Sequence, residues 1–327
     1  MNAPLHSMIL GTGHAVPERI LTNSDLEKMV DTSDQWIVER TGIRQRHIAP
    51  QGTGISQYAT EAAKQALEDA GLDPQDIDLI ILGTVTGDYK FPATACLIQQ
   101  NLGIEHAAAF DLSAACSGFL YGLSLADSLI ATGKHHNALV IGGEVLTSMV
   151  DWTDRNTCTL FGDGAGAVVV GPARDASGIL ATHMASDGRY HHLLINPGCG
   201  SINPPTPDNL HLHAIQMEGR EVFRHAVTTM TDALAKVLEK AGMGIEDVDL
   251  LIPHQANLRI IQAVGKKVGI DEDHIYINVD RFGNTSAASI PIALDEARRN
   301  GKLKKGDVAA MVTFGAGFTW AAGLVRL

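Results

Sequence analysis

TEAAKQALEDAGLDPQDIDLII, residues 60–81, reads as a helix followed by a strand, and TDALAKVLEKAGMGIEDVDLLI, residues 231–252, reads as the same unit again. The two align without a gap at an offset of 171 residues and share Thr60/Thr231, Ala70-Gly71/Ala241-Gly242 and Asp76/Asp247. In each copy helix-forming residues stop at Ala-Gly, an acidic turn follows, and a short apolar run (77–82 and 248–252) has the character of a buried strand. Further strand-like runs at 138–141, 165–170 and 308–314 alternate with segments of helical spacing, which predicts α/β layering. Two related halves are therefore expected, residues 1–175 and 176–327, packed into one body with a site at their interface. The segment 196–209, rich in Pro, Asn and Gly, reads as an inserted loop.

Composition narrows the function classes. The chain has 327 residues, 45% hydrophobic and 19% charged, which is ordinary globular material. A net charge of −12 argues against general nucleic-acid binding, which relies on Lys and Arg to neutralise phosphates. No run reaches membrane-span length, and the N-terminus lacks the pattern of a secretory signal. Cys96, Cys116, Cys158 and Cys199 are widely spaced with no CxxC pair, so a reducing cytoplasm fits better than a disulfide framework. The histidines lack HExxH or Cys-rich surroundings, and no metal is assigned.

Three residues stand out as candidate chemistry. Cys116 lies among small residues in DLSAACSGFL (from Asp111), where it reads either as a buried structural thiol or as a nucleophile at a helix start. His254 follows directly on the second copy's strand, the edge at which α/β sheets present ligand-binding groups. Asn284, in RFGNTSAASIP, precedes small residues much as Asp111 does, and by the offset Cys116 aligns with Ala287. A Cys-His-Asn set suits acyl transfer, with a thiolate nucleophile and donors for oxygen-centred charge, and it suits a protease-like hydrolase equally. FGDGAGAVVV (from Phe161) and FGAGFTWAAGL (from Phe314) lead into apolar runs instead of opening a helix, so they read as turns or close backbone approaches beside a pocket, not as nucleotide fingerprints.

Taken together, DTSDQWIVERTGIRQRHIA (from Asp31), DLSAACSGF, FGDGAGAV, MEGREVFRHAV (from Met217), PHQANLRI, RFGNTSAASIP and FGAGFTWAAGLVRL resemble the type III β-ketoacyl-acyl carrier protein synthases, condensing enzymes of the thiolase fold. The resemblance spans nearly the whole chain in the family's order. It implies a layered αβαβα body and an initiating step of fatty-acid synthesis. Cys116 would take an acyl group, typically acetyl, from acyl-CoA. Malonyl-acyl carrier protein would then lose CO2 and attack it, with no cofactor. It also implies His254 and Asn284 as donors to the enolate and the backbone N–H groups of Cys116 and Ala316 as an oxyanion hole, although relatives often have glycine at the latter position. Trp36, Arg40, Arg155 and Asn257 would bind coenzyme A. Phe91, Phe161 and Phe314 would line the acyl pocket, with Phe91 reaching across a homodimer interface. Arg224, Arg259, Lys266 and Lys267 would dock the acidic carrier protein.

Two alternatives stay open on sequence: a related secondary-metabolite condensing or acyl-transfer enzyme with another primer, and a non-catalytic acyl-CoA-binding protein.

Overall fold

A computed structural model describes residues 7–173 and 177–327, and the 175/176 boundary lies outside the described residues. The first half contains β1 (Ser7–Ala15), α1 (Asp34–Thr41), α2 (Ile55–Ala70), β2 (Leu79–Gly83), α3 (Thr94–Leu102), β3 (Ala108–Leu112), α4 (Gly118–Ala131), β4 (Ala138–Val145) and β5 (Asp163–Pro172). The second contains β6 (Gly178–Ser186), α5 (Gly219–Ala241), β7 (Leu250–Pro253), α6 (Leu258–Val268), α7 (Ser289–Arg299), β8 (Val308–Gly315) and β9 (Thr319–Arg326). The 171-residue offset relates the starts of β1 and β6, the ends of α2 and α5, and the starts of α4 and α7. Both α2 and α5 stop at a left-handed glycine, Gly71 (φ 65°) and Gly242 (φ 66°), a conformation that carries no steric penalty only for glycine.

Each half builds one mixed sheet. The first runs β1-β5-β4-β2-β3, with β2 parallel to β4 and β3 and the other pairs antiparallel. The second repeats the order as β6-β9-β8-β7, with a single bridge from Leu251 to Ile275 where the first sheet has its fifth strand. Alternation along the strands sorts the apolar residues into three layers. Leu79, Ile81, Val140, Val168, Leu250, Ile252 and Met311 face a shared core with α4 and α7. Ile80, Leu82 and Ile141 face α2 on one outside, and Leu251, Ala310 and Val312 face α5 and α6 on the other. The result is an αβαβα stack. Each fully buried Leu, Ile or Val in it stabilises by about 1.5–3 kcal/mol.

Strand boundaries depart from the sequence reading for local reasons. Ile77 and Val248 still close 3₁₀ turns, their N–H groups bonded to Pro74 O and Ile245 O, so β2 and β7 begin two residues later than expected. Strand β4 continues past Ile141 through Gly142-Gly143-Glu144, residues of low β propensity. Pairing with β5 holds this end extended. Gly142 is required there because a Cβ would lie 2.1 Å from the Ala287 carbonyl oxygen at the start of α7. The segment 196–209 belongs to the excursion between β6 and α5, and the excursion between β1 and α2 carries α1. Both reach the rim of the same cavity, through Leu194 and Met217 on one side and Trp36 and Arg40 on the other.

Candidate active site

The middle layer brings two helix starts together. Cys116 occupies a 3₁₀ turn, Ala115–Ser117, that runs into α4, and the turn Ser286–Ala288 runs into α7 in the same way. Ala115 (φ 48°) and Ser286 (φ 50°) adopt the same left-handed backbone at equivalent places in the two copies. The end of β8 closes on Cys116: Thr313 Oγ1 donates to Cys116 O at 2.9 Å, and a Cβ on Gly315 would lie 2.7 Å from Cys116 N. Glycine at 315 is therefore what lets the strand, and Ala316 beyond it, approach the cysteine.

Cys116, His254 and Asn284 all line one cavity of about 720 Å³. His254, 3% exposed, donates its backbone N–H to Val312 O at 2.8 Å, and its Nδ1 lies 2.7 Å from Ser289 Oγ. Ser289 Oγ also accepts the Gln255 N–H at 3.3 Å, so its own hydrogen is free to donate to Nδ1. That network assigns the ring proton to Nε2. Burial lowers the His254 pKa to about 3, which keeps the ring neutral. Asn284 is fixed through its backbone to Leu160 O and Gly162 N, and its Oδ1 accepts the Ser286 N–H at 2.9 Å. Its Nδ2 donor is left for the cavity. The site thus holds one sulfur and two neutral N–H donors.

The thiol itself departs from expectation. A helix start was expected to favour the thiolate, yet burial pushes Cys116 up to about 11, partly offset by a Ser286 hydrogen bond and reinforced by the Glu144 charge. At neutral pH the resting group is the thiol.

The remaining expected residues divide. Phe161 and Phe314 are buried and line the cavity. Trp36 lies at the rim with the Arg40 guanidinium 4.5 Å and the Arg155 guanidinium 5.1 Å from its ring centroid. Arg155 does not line the cavity and donates to Asp31 O at 3.0 Å. Asn257 lines it, but both ends of its amide are engaged: Oδ1 caps α6 at Arg259 N, and Nδ2 donates to Arg40 O at 2.9 Å. It therefore ties α1 to α6. Phe91 is 86% exposed and, unlike Phe161 and Phe314, does not line the cavity of its own chain. Arg259 lines the cavity mouth, Arg224 is paired with Glu221, and Lys266 and Lys267 sit at the opposite end of α6 from Asn257. Of the other cysteines, Cys158 is buried, Cys96 is exposed, and Cys199 is half-buried beside His213. Among the described residues no cluster of three or more His, Cys, Asp or Glu could hold a metal ion, and no helix is long and apolar enough to cross a membrane.

Sequence reasoning missed Ser289, Ser286 and Glu144. The serines read merely as small neighbours. Glu144 carried a signal, a charge closing the apolar run ALVIGGEV, but the strand was ended before it.

Comparison with known proteins follows the same layout. Residues 110–188 match the family model for 3-oxoacyl-[acyl-carrier-protein] synthase III, and residues 238–327 match the model for its C-terminal part. The chain is 54% identical over 320 residues to the beta-ketoacyl-[acyl-carrier-protein] synthase III of Caldanaerobacter subterraneus subsp. tengcongensis, covering 97% of each. The crystal structure of 3-oxoacyl-[acyl-carrier-protein] synthase III from Aquifex aeolicus VF5 superposes with a TM-score of 0.93 at 51% identity, over 98% of this chain and 100% of that one. The priming β-ketosynthase of the R1128 polyketide pathway superposes at 0.92 with 36% identity, over 100% and 98%.

Proposed function

The chain belongs to the 3-oxoacyl-[acyl-carrier-protein] synthase III family, the condensing acyltransferases that initiate fatty-acid synthesis, and from that premise we propose that Cys116, His254 and Asn284 carry the reaction. The Cys116 sulfur attacks the thioester carbonyl of an acyl-CoA, acetyl-CoA in the simplest case, and the backbone N–H groups of Cys116 and Ala316 hold the oxyanion. Coenzyme A leaves, and malonyl-acyl carrier protein enters. Loss of CO2 puts negative charge on the malonyl thioester oxygen, where His254 Nε2–H and Asn284 Nδ2–H stabilise it. The carbanion carbon then attacks the acyl-cysteine, giving 3-oxoacyl-acyl carrier protein and free Cys116. No cofactor takes part, and a reducing cytoplasm keeps the thiol free.

The observation that supports this division is that one sulfur and two neutral donors line the same cavity. Trp36, flanked by Arg40 and Arg155, offers a face for the adenine and charge for the phosphates. The Asn257 amide holds the wall formed by α1 and α6 and keeps a second Nδ2 hydrogen for the pantetheine arm. On a chain of net charge −12, Arg259 and Arg224 supply the local positive patch for an acidic carrier protein. Lys266 and Lys267 add only long-range attraction.

Intact-protein mass after incubation with acetyl-CoA tests the reading. One acetyl group should appear on the Cys116 peptide, and malonyl-acyl carrier protein should discharge it into a 3-oxobutyryl product. Release as free acetate would make the protein a thioesterase instead, and acylation only by longer acyl-CoAs would change the primer. Homodimerisation belongs to the same proposal, with exposed Phe91 closing the partner's acyl pocket. Light scattering should return the mass of two chains, and a single-chain mass would remove Phe91 from the acyl pocket.

A further inference from the structure

The largest side chain with no exposed surface among the described residues is a charged one, Arg46, in the short antiparallel ladder of Ile20–Thr22 with Gln45–His47. Its Nη1 donates to Leu21 O at 3.2 Å and Asn23 Oδ1 at 2.9 Å, and its Nη2 to Thr159 O at 2.8 Å. Nε has no partner among the described residues. All three acceptors are neutral. Burial lowers the guanidinium pKa to about 10, still far above neutrality, so the charge is present. A buried charge without a counterion is costly, and an apolar side chain would fill the same space without that cost. Its contacts indicate what the charge is there to hold. On one side they reach the segment that carries Asn284. Thr159 precedes Leu160, whose O accepts the Asn284 N–H at 2.9 Å, and the Gly162 N–H donates to Asn284 O at 3.0 Å. Gly162 and Gly283 lie against the same arginine, since a Cβ on them would lie 3.1 and 3.2 Å from Arg46 Cβ. On the other side, Asn23 Nδ2 donates to Asp34 Oδ1 and to Ile43 O, both at 2.8 Å, which ties the guanidinium to the first residue of α1 and to the chain just beyond its end. Arg46 itself does not line the cavity.

Taking the donor role of Asn284 above as its basis, we propose that Arg46 is a positioning residue for decarboxylation, clamping segment 159–162 to the start of α1 so that the Asn284 amide keeps its place in the cavity. The need follows from how Asn284 is held. Its Oδ1 accepts the local Ser286 N–H at 2.9 Å, so the place of the amide depends on its backbone, and that backbone is bonded to Leu160 and Gly162. A neutral donor stabilises developing charge only from a fixed position, and a displacement of about 1 Å can cost about 10²-fold. Two nitrogens of a rigid fork span acceptors on separate segments, which a lysine ammonium, a single point of charge, does not reproduce. His254 is held by other contacts, Val312 O and Ser289 Oγ, so the clamp serves one donor of the two. Arg46 never touches substrate and acts only through Asn284.

The test is CO2 release from malonyl-acyl carrier protein by Arg46→Lys, made alone and combined with His254→Ala or Asn284→Ala. Alone, the substitution should slow release by about 10-fold or more, toward the roughly 10²-fold that such a displacement can cost. Acetylation of Cys116 at saturating acetyl-CoA should change far less. Combined with His254→Ala, the same factor should remain. Combined with Asn284→Ala, it should vanish, because a clamp that acts through Asn284 then has nothing left to position. A purely structural role would slow both half-reactions and act alike in every combination. If Arg46→Lys does not fold, Asn23→Ala removes one acceptor of the fork while the arginine stays, and should give a smaller loss with the same dependence on Asn284. An undiminished effect alongside Asn284→Ala, or wild-type CO2 release by folded Arg46→Lys, overturns the proposal. Unchanged release by Asn284→Ala alone would instead overturn the underlying reading of that donor.

Discussion

Asn284→Ala and His254→Ala should each slow decarboxylation of malonyl-acyl carrier protein by about 10²- to 10³-fold, the usual cost of deleting one oxyanion donor, while Cys116 acetylation should stay much closer to the wild-type rate. The asymmetry follows from where charge develops. During acylation, on the proposed division of roles, the oxyanion would face backbone N–H groups, which alanine at 254 or 284 leaves in place. During decarboxylation, on the same proposed division, it would face the two side-chain donors, which Ser289 Oγ orients at His254 Nδ1 (2.7 Å) and Ser286 N at Asn284 Oδ1 (2.9 Å). His254, with a pKa lowered to about 3 by burial, donates as a neutral ring. Its contribution should be level across the neutral range, with no imidazole titration in the decarboxylation rate. Release of CO2 from malonyl-acyl carrier protein, measured against pH alongside single-turnover acetylation, checks both points. Equal loss of the two half-reactions in folded variants, or a step in decarboxylation near the ordinary imidazole pKa, would sink the division of roles.

What the sequence exposed and what it concealed divide along physical lines. The repeated unit was legible because a helix stop at Gly71 and Gly242 is a backbone requirement that leaves a mark in residue type. The strand ends were less so, because the 3₁₀ turns before Leu79 and Leu250 carry the same apolar residues, Ile77 and Val248, as the strands they precede. The nucleophile and its two donors were legible as residue types in specific settings. Their state was not: the protonation of Cys116 depends on burial and on Glu144, distant in sequence. Asn257 was legible as a residue for the pocket, whose wall it lines, whereas its bonds to Arg259 N and Arg40 O, which tie α6 to α1, were not.

The second large effect concerns the joint between the halves. Asp295→Ala should lower the free energy of unfolding by about 3 kcal/mol at neutral pH, the low end for breaking a buried ion pair. Asp295, on α7 of the second half, is fully buried and receives Thr12 Oγ1 at 2.7 Å and His14 Nδ1 at 2.6 Å from β1 of the first, with Arg299 Nε at 2.8 Å from its own helix. The low end applies because the Arg299 side chain is half exposed and can turn to water once its partner is gone. Burial by itself would raise the Asp295 carboxyl, but hydrogen bonds from His14, Thr12 and Arg299 outweigh it and hold the pKa below the usual carboxylate range. A pKa lowered by folding gives stability that is complete above the unfolded value, about 3.9, and is lost as pH falls through the folded one. Urea unfolding should therefore show the wild type and Asp295→Ala well separated at neutral pH and converging in acid. A variant as stable as the wild type at neutral pH, or a gap that persists in acid, would mean that the apolar layer between the sheets joins the halves without help from this carboxylate.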